Sequence, residues 1–66
     1  MIVKIDRNTP TSDLLEIKVG SNVTDGNELE GFVKEIKIND TDEFWLFIFF
    51  LDNGNQIEIT KIKNIC

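Results

Sequence analysis

One stretch of the chain, residues 43–60 (EFWLFIFFLDNGNQIEIT), limits the possible folds more than any other. Asn53-Gly54 separates two runs that are rich in β-branched and aromatic residues, which is the strongest short-range signal for a β-hairpin. The pattern predicts a two-residue type I′ turn, in which Asp52 faces Asn55 across the two strands. The chain is therefore expected to be organised around this hairpin.

The turn also decides which side chains of the hairpin share a face. In this register, one face carries six apolar side chains and is predicted to be the core: Phe44, Leu46, Ile48, Phe50, Ile57 and Ile59. On the other face, the first strand carries four apolar side chains, called here the aromatic stripe: Trp45, Phe47, Phe49 and Leu51. The second strand is polar on that face, with Gln56, Glu58 and Thr60. Only the first strand is thus apolar on both sides.

A strand that is apolar on both faces is normally covered on both faces. One alternative is that residues 1–5, or those around Leu14 and Leu15, fold over the aromatic stripe. The other is that a second subunit or a partner protein covers it, with Trp45 and Phe47 as anchors. Several aromatic side chains would then form an exposed patch of several hundred Å², a size that marks interaction sites.

Length and charge narrow the possible functions. The 66 residues form one predicted domain, and a domain of this size buries only about 60% of its unfolded surface. Twelve acidic and seven basic side chains leave a net charge of −5. No basic cluster is present to neutralise phosphates, so direct nucleic-acid binding is not expected. An acidic chain instead favours a partner with a basic surface.

Catalytic and cofactor sites are not predicted. The chain has no His and one cysteine, Cys66, which leaves no nucleophile–base pair and no intrachain disulfide. Its four glycines are scattered and form no glycine-rich phosphate loop. Asp40, Asp42 and Asp52 could offer oxygen ligands to a metal ion, but such Asp-containing turns mostly bind their own backbone amides, so no metal site is predicted. The chain has no apolar run long enough for a membrane span and no signal-peptide pattern, which predicts a cytoplasmic protein without a membrane partner.

The rest of the chain also has mostly strand patterns. Residues 1–5 read as a short strand before Pro10, and residues 14–19 read as a second strand with alternating polarity. Residues 20–28 are predicted to be a polar loop with a turn at Asp25-Gly26.

The second half of the chain contains a strand with a defect. Residues 29–38 are predicted to be a long strand whose alternation breaks at Lys34, and either a β-bulge near Lys34-Glu35 or a bend permitted by Gly31 would restore the register. Residues 39–42 form an acidic loop before the hairpin. The spacing of Ile62 and Ile65 after Thr60 predicts one helical turn and a final short strand.

This order of elements over residues 14–65 resembles the Src-homology-3-like (SH3-like) small barrel. The resemblance implies an all-β, five- to six-stranded barrel, here with an extra N-terminal strand at residues 2–5. In that family two loops flank the ligand groove, and a Trp stands near the start of the central strand. The matching residues are Asp25, Glu28 and Glu30 by the first loop, Asp40, Asp42 and Glu43 by the second, and Trp45. The chain contains no Tyr and lacks the Ala-Leu-Tyr-Asp-Tyr signature, so binding of proline-rich peptides is not implied.

The leading functional hypothesis is a non-enzymatic protein-binding module. Trp45, Phe47 and Phe49 would be its anchors, and the acidic loops would form the rim: Asp25, Glu28, Asp40, Asp42 and Glu43. Its partner would be a protein with a basic surface, or a second copy in a homo-oligomer. A second hypothesis is an acidic inhibitor, phage-derived or not, that mimics nucleic acid, and a third is a small-ligand site at a subunit interface. The acidic loops could also serve solubility alone.

Overall fold

The computed structural model of the protein describes residues 2–63, and most of these residues lie in strands. The elements are β1 (Ile2–Lys4), α1 (Thr11–Leu15), β2 (Asn22–Thr24), β3 (Glu30–Asp40), β4 (Phe44–Leu51) and β5 (Gln56–Ile62). They form one five-stranded mixed sheet in the order β1-β2-β3-β4-β5, with β1 parallel to β2 and the other pairs antiparallel. The all-β class is confirmed. The two edges, β1 and β5, are not paired with each other, so the described sheet is open rather than a closed barrel.

Strand β3 joins the two parts of the sheet and bends at a bulge. Its first residues pair with β2, and the remainder pairs with β4. Val33 pairs with Leu51 and Glu35 pairs with Phe50, which leaves Lys34 as the extra residue. The bulge predicted near Lys34-Glu35 is therefore confirmed.

The hairpin of β4 and β5 is present, but its loop has three residues instead of two. The N–H of Leu51 donates to the carbonyl of Asn55 at 2.8 Å, and the N–H of Gly54 donates to the carbonyl of Leu51 at 3.3 Å. Gly54 has a φ of 90°, whereas no non-glycine residue among the described ones has a positive φ. The loop is thus a type I turn followed by a left-handed glycine. A type I′ turn would need positive φ at Asn53 as well, so that prediction is wrong.

Contacts with β3 explain the longer loop. The N–H of Asp52 donates to the carbonyl of Phe32 at 2.9 Å, and the Asn53 side chain donates to the carbonyl of Glu30 at 2.6 Å. Gly31 permits this approach, since a Cβ there would lie 3.0 Å from Nδ2 of Asn53. These bonds hold the loop against β3, which a side-chain pattern within the hairpin does not reveal.

The one-residue difference moves every β4 side chain to the opposite face. Phe49 pairs with Ile57 and Phe47 pairs with Ile59, and all four side chains are buried. The burial predicted for Ile57 and Ile59 is confirmed. The burial predicted for the rest of that face is wrong, because these side chains are only half-buried and lie on the other side of the sheet: Phe44, Leu46, Ile48 and Phe50.

The core lies between the sheet and the N-terminal segments. Ile5 and Leu14 are buried in the same cluster as Phe47 and Phe49. Its other members come from four strands: Val23, Val33, Leu51, Ile57 and Ile59. The chain itself therefore covers the aromatic stripe, as the first alternative predicted. Along this stripe, the rings of Trp45 and Phe47 stack with centroids 6.1 Å apart, and those of Phe47 and Phe49 stack at 6.3 Å.

The strand predicted for residues 14–19 is wrong, because this region contains helix α1 and a turn. The carbonyl of Pro10 accepts the N–H of Leu14 at 3.1 Å, which closes the first helical turn. Leu14 and Ile17 pack on the core with the three-residue spacing of a helix, while Val19 is 66% exposed.

Two further predictions differ from the structure. The polar loop predicted for residues 20–28 contains β2, whose buried Val23 pairs with Gly31. The turn at Asp25-Gly26 is present, with a φ of 81° at Gly26. Strand β5 continues to Ile62, so the helical turn predicted after Thr60 is wrong up to that residue. Ile65, Cys66 and the predicted final strand lie outside the described residues.

Gly54→Ala tests the hairpin loop. We expect it to lower the free energy of unfolding by about 1 kcal/mol, since the cost of a positive φ falls on any residue with a Cβ. Gly54→Asn should cost less, because Asn tolerates the left-handed region better. Urea denaturation of both variants measures the difference, and equal stability of all three proteins would contradict this loop conformation.

Candidate interaction face

Four apolar side chains of β4 point away from the core, and we call them the uncovered stripe: Phe44, Leu46, Ile48 and Phe50. Each is half-buried. None of the core side chains found among residues 2–63 belongs to this face, and the segments around Ile5 and Leu14 pack on the opposite one. Within residues 2–63, the uncovered stripe is therefore shielded by its neighbours in the sheet and by no second layer.

Polar side chains of β3 and β5 flank the uncovered stripe on both sides. Cross-strand pairing places them in three rows: Glu35–Phe50–Gln56, Lys37–Ile48–Glu58 and Asn39–Leu46–Thr60. The ammonium of Lys37 lies 5.8 Å from the ring centroid of Phe50, within the range of a cation–π contact. The side-chain amide of Gln56 donates to the Glu58 carboxylate. The face thus has an apolar centre and polar margins in these three rows, while at the Phe44 end its β5 margin is the apolar Ile62, which is 75% exposed.

The aromatic anchors predicted from the sequence lie elsewhere. Phe47 and Phe49 are fully buried, so they cannot contact a partner while the domain is folded, and their prediction as exposed anchors is wrong. Trp45 is half-buried at the end of the core face. The ammonium of Lys63 lies 4.9 Å from its ring centroid and also pairs with the Asp40 carboxylate. These contacts give Trp45 a packing role within the chain.

The predicted acidic rim is divided between the two ends of β3. Asp25 and Glu28 precede this strand, whereas Asp42 and Glu43 follow it. Eleven extended residues separate the two groups by up to about 33 Å along the strand. The structure therefore does not bring the two acidic loops together around one groove.

Part of the acidic set is used in local structure. The Asp25 carboxylate accepts the N–H groups of Asn27 and Leu29 at 2.8 and 3.2 Å, which shapes the turn before β3. The Asp40 carboxylate pairs with Lys63. Glu28, Asp42 and Glu43 remain exposed. The second loop is closed by Thr41, whose hydroxyl accepts the N–H of Phe44 at 3.0 Å.

Other kinds of site have little support in the described part of the chain. Residues 2–63 hold no group of three His, Cys, Asp or Glu side chains that could bind a metal ion. A cavity of about 270 Å³ lies between β1 and α1, below the usual 300–1,000 Å³ of small-molecule sites. Its lining mixes charged and apolar side chains: Val3, Lys4, Ile5, Thr9, Asp13, Glu16, Ile17 and Ser21. No helix within residues 2–63 has the length and apolarity to cross a bilayer.

Comparison of the chain with protein-family models, curated proteins and solved structures finds no match. A functional argument therefore depends on the geometry of the chain itself. In that geometry, the uncovered stripe is a continuous apolar row in the middle of the sheet, on the face opposite the core.

Sequence reasoning placed the uncovered stripe in the core. A signal for the correct assignment was nonetheless present in Asp52-Asn53-Gly54, since a three-residue hairpin loop ending in a left-handed glycine is also common. With that loop, the side chains at the even-numbered positions 44 to 50 point away from the core, on the face opposite to Leu51. The choice between the two loops decides which of the apolar faces is free.

Proposed function

We propose that this chain is a small, non-enzymatic protein-binding module and that the uncovered stripe is its binding face. The observation that supports this function is that β4, the most apolar strand, has one face in the core and the other without a covering element in residues 2–63. A contiguous apolar surface on a small domain favours association, because a partner removes it from water.

The composition of the face suits a protein partner. An apolar centre with a polar margin is the usual anatomy of a protein–protein interface, and aromatic residues often supply its anchors. Phe44 and Phe50 stand at the two ends of the stripe and would have this role. The flanking Lys37 and Glu58 provide charges of opposite sign at the margin, which favour a partner with a matching pattern.

The net charge of −5 adds long-range attraction toward a basic partner. It gives less support to the hypothesis of a nucleic-acid mimic. Asp40 is paired with Lys63, Asp25 holds a turn, and the acidic loops lie at opposite ends of β3. A polyanion mimic needs its carboxylates together and free, so the binding module is the better supported function.

The SH3-like resemblance fits this proposal at the level of architecture. Strands β2 to β5 form an antiparallel meander with a long bulged second member, as in that family, and β1 adds to its edge in parallel. The proposed binding face differs from the loop-flanked groove of the family, since it is the outer surface of the sheet. We also propose a cytoplasmic location, because a chain with one cysteine needs no oxidising compartment.

Ile48→Asp tests the proposed face. We expect this charge at the centre of the stripe to raise the Kd for a protein partner roughly tenfold or more, because the contact would strip water from the aspartate and the neighbouring Lys37 offsets that cost only in part. The wild-type chain, immobilised through its single cysteine, can capture the partner from a cell extract, and calorimetry with the purified partner gives the Kd.

The matched control is Val19→Asp, which places the same charge at an exposed aliphatic residue outside the face. It should leave binding unchanged, and circular dichroism should show that both variants are folded. A partner that binds Ile48→Asp as tightly as the wild type would show that another surface carries the function.

A further inference from the structure

We propose that the partner of the uncovered stripe is a second copy of this chain, packed face to face about a two-fold axis parallel to β4. This inference rests on the proposed function, since it assigns an occupant to the same face. It adds a defined geometry and two intermolecular ion pairs that the isolated chain lacks.

The face is large enough for a small dimer. Three strands about 4.8 Å apart and about eight residues long span roughly 14 by 26 Å. Two such faces in contact would bury on the order of 1,000 Å² of accessible surface, which is near the minimum for a biological interface and typical of a weak dimer. The stripe of one copy would lie on the stripe of the other, forming the apolar layer of a sandwich of two sheets about 10 Å apart.

The charges on the face distinguish between the possible symmetric arrangements. Lys37 and Glu58 flank Ile48 in the central row, on opposite sides of β4. A two-fold axis parallel to β4 exchanges the two sides, so β3 of one copy lies over β5 of the other. Lys37 of each copy then faces Glu58 of the second copy, and the pair occurs twice. Within residues 2–63 the ion pair found is Lys63–Asp40, so neither Lys37 nor Glu58 is already in one.

The alternative two-fold axis, in the sheet plane but perpendicular to β4 through the same row, is less favourable. It places β3 over β3 and brings the two Lys37 side chains together, and likewise the two Glu58 side chains. The parallel axis avoids this repulsion. Packed sheets usually cross at about 30° because each sheet is twisted, and residues of the central row are displaced least by that rotation.

The net charge of −5 makes two copies repel at long range, so added salt should strengthen the dimer. The local charges on the face, in contrast, favour a second copy over a nucleic acid or a membrane. Glu35, Lys37 and Glu58 leave the face with one net negative charge, so it offers no cationic patch to nucleic acid or to an anionic membrane. Because the face is self-complementary, each of its three rows matches the same row of a second copy. The apolar residues in each row meet at the centre, and the polar ones meet at the margins.

The first experiment is sedimentation equilibrium of the wild-type chain from micromolar to millimolar concentration. We expect the mass to rise from 7.6 kDa toward twice that value. Ile48→Asp should remain monomeric, while Val19→Asp should associate like the wild type. Circular dichroism and the fluorescence of Trp45, the single tryptophan, check that each variant is folded.

The second experiment uses charge reversal to test the arrangement. Lys37→Glu and Glu58→Lys should each weaken dimerisation roughly tenfold, because each turns two attractive contacts into repulsive ones. The double variant Lys37→Glu/Glu58→Lys should recover the wild-type Kd. A mixture of the two single variants should form heterodimers more tightly than either associates alone, since both of its contacts are again attractive.

The outcomes separate the inference from the proposed function. A wild-type chain that stays monomeric at millimolar concentration overturns the dimer. The binding module would still be supported if Ile48→Asp weakened the binding of a different protein. If Ile48→Asp abolishes dimerisation and neither single charge variant weakens it, the parallel two-fold arrangement is wrong. A dimer that persists in Ile48→Asp would place the contact on another surface and overturn the inference.

Discussion

Phe49→Ala is expected to lower the free energy of unfolding by about 3 to 5 kcal/mol, the range for emptying a buried aromatic site. Its neighbour Phe50 is the same residue type on the same strand, but its ring lies on the uncovered stripe. Phe50→Ala should therefore cost less than about 1.5 kcal/mol, because part of its surface already contacts water and no cavity forms. Urea denaturation followed by circular dichroism measures both values.

This pair of variants reports directly on the hairpin register. A two-residue loop would bury Phe50 and free Phe49, so a larger loss in Phe50→Ala would contradict the three-residue loop. The loop residues Asp52 and Asn53 are unchanged in both variants, so the comparison isolates the two rings. An intact cooperative transition in Phe49→Ala, with little loss of stability, would likewise show that its ring is outside the core.

The hairpin illustrates how far sequence patterns determine this fold. Its existence follows from the turn residues and the flanking β-branched and aromatic runs, and its two strands are where the pattern predicts them. The register does not follow, because β4 is apolar at both odd and even positions. Ile57 and Ile59 become buried with either loop length, so they do not resolve the choice. The bonds from Asp52 and Asn53 to β3 resolve it, and they join residues 20 or more positions apart.

Elsewhere, a break in the strand alternation gave a correct prediction, whereas patterns of only a few residues gave wrong ones. The break in alternation at Lys34 indicated a bulge there or a bend at Gly31, and the register shift between Val33 and Glu35 confirms the bulge. In residues 14–19, the aliphatic residues at positions 15, 17 and 19 alternate as they would in a strand, which led to the wrong prediction. A helix begins after Pro10 instead, and the buried Leu14 and the partly buried Ile17 have helical spacing. Strand β2 has three residues, too few for any periodicity to be visible.

The candidate site follows from the same ambiguity. That one face of β4 would need a covering element was predictable, because the strand is apolar on both sides and its neighbour β5 is not. Which face remains free depends on the hairpin register. With the observed register, the candidate anchors are Phe44 and Phe50 instead of Phe47 and Phe49. The acidic rim was inferred from sequence proximity to two loops, and the length of β3 separates them.

Ile5→Ala tests how the chain covers its aromatic stripe. Ile5 is fully buried in the same core cluster as Phe47 and Phe49, and its N–H donates to the carbonyl of Thr24 at 2.8 Å. Removing most of its side chain leaves a cavity against the aromatic rings, so we expect a loss of about 2 to 5 kcal/mol. Domains of this size have total stabilities near the lower end of about 5 to 15 kcal/mol, so the variant should keep only about 0 to 3 kcal/mol and unfold at a much lower temperature than the wild type.

Val3→Ala is the matched control, because Val3 lies two residues earlier and its side chain is 44% exposed. It should change the free energy of unfolding by less than about 0.5 kcal/mol, as surface substitutions do. If Ile5→Ala were as stable as Val3→Ala, the N-terminal segment would not seal the core, and the aromatic stripe would have to be covered by another chain. The two faces of β4 would then both be open, and the choice of Phe44 to Phe50 as the binding face would lose its basis.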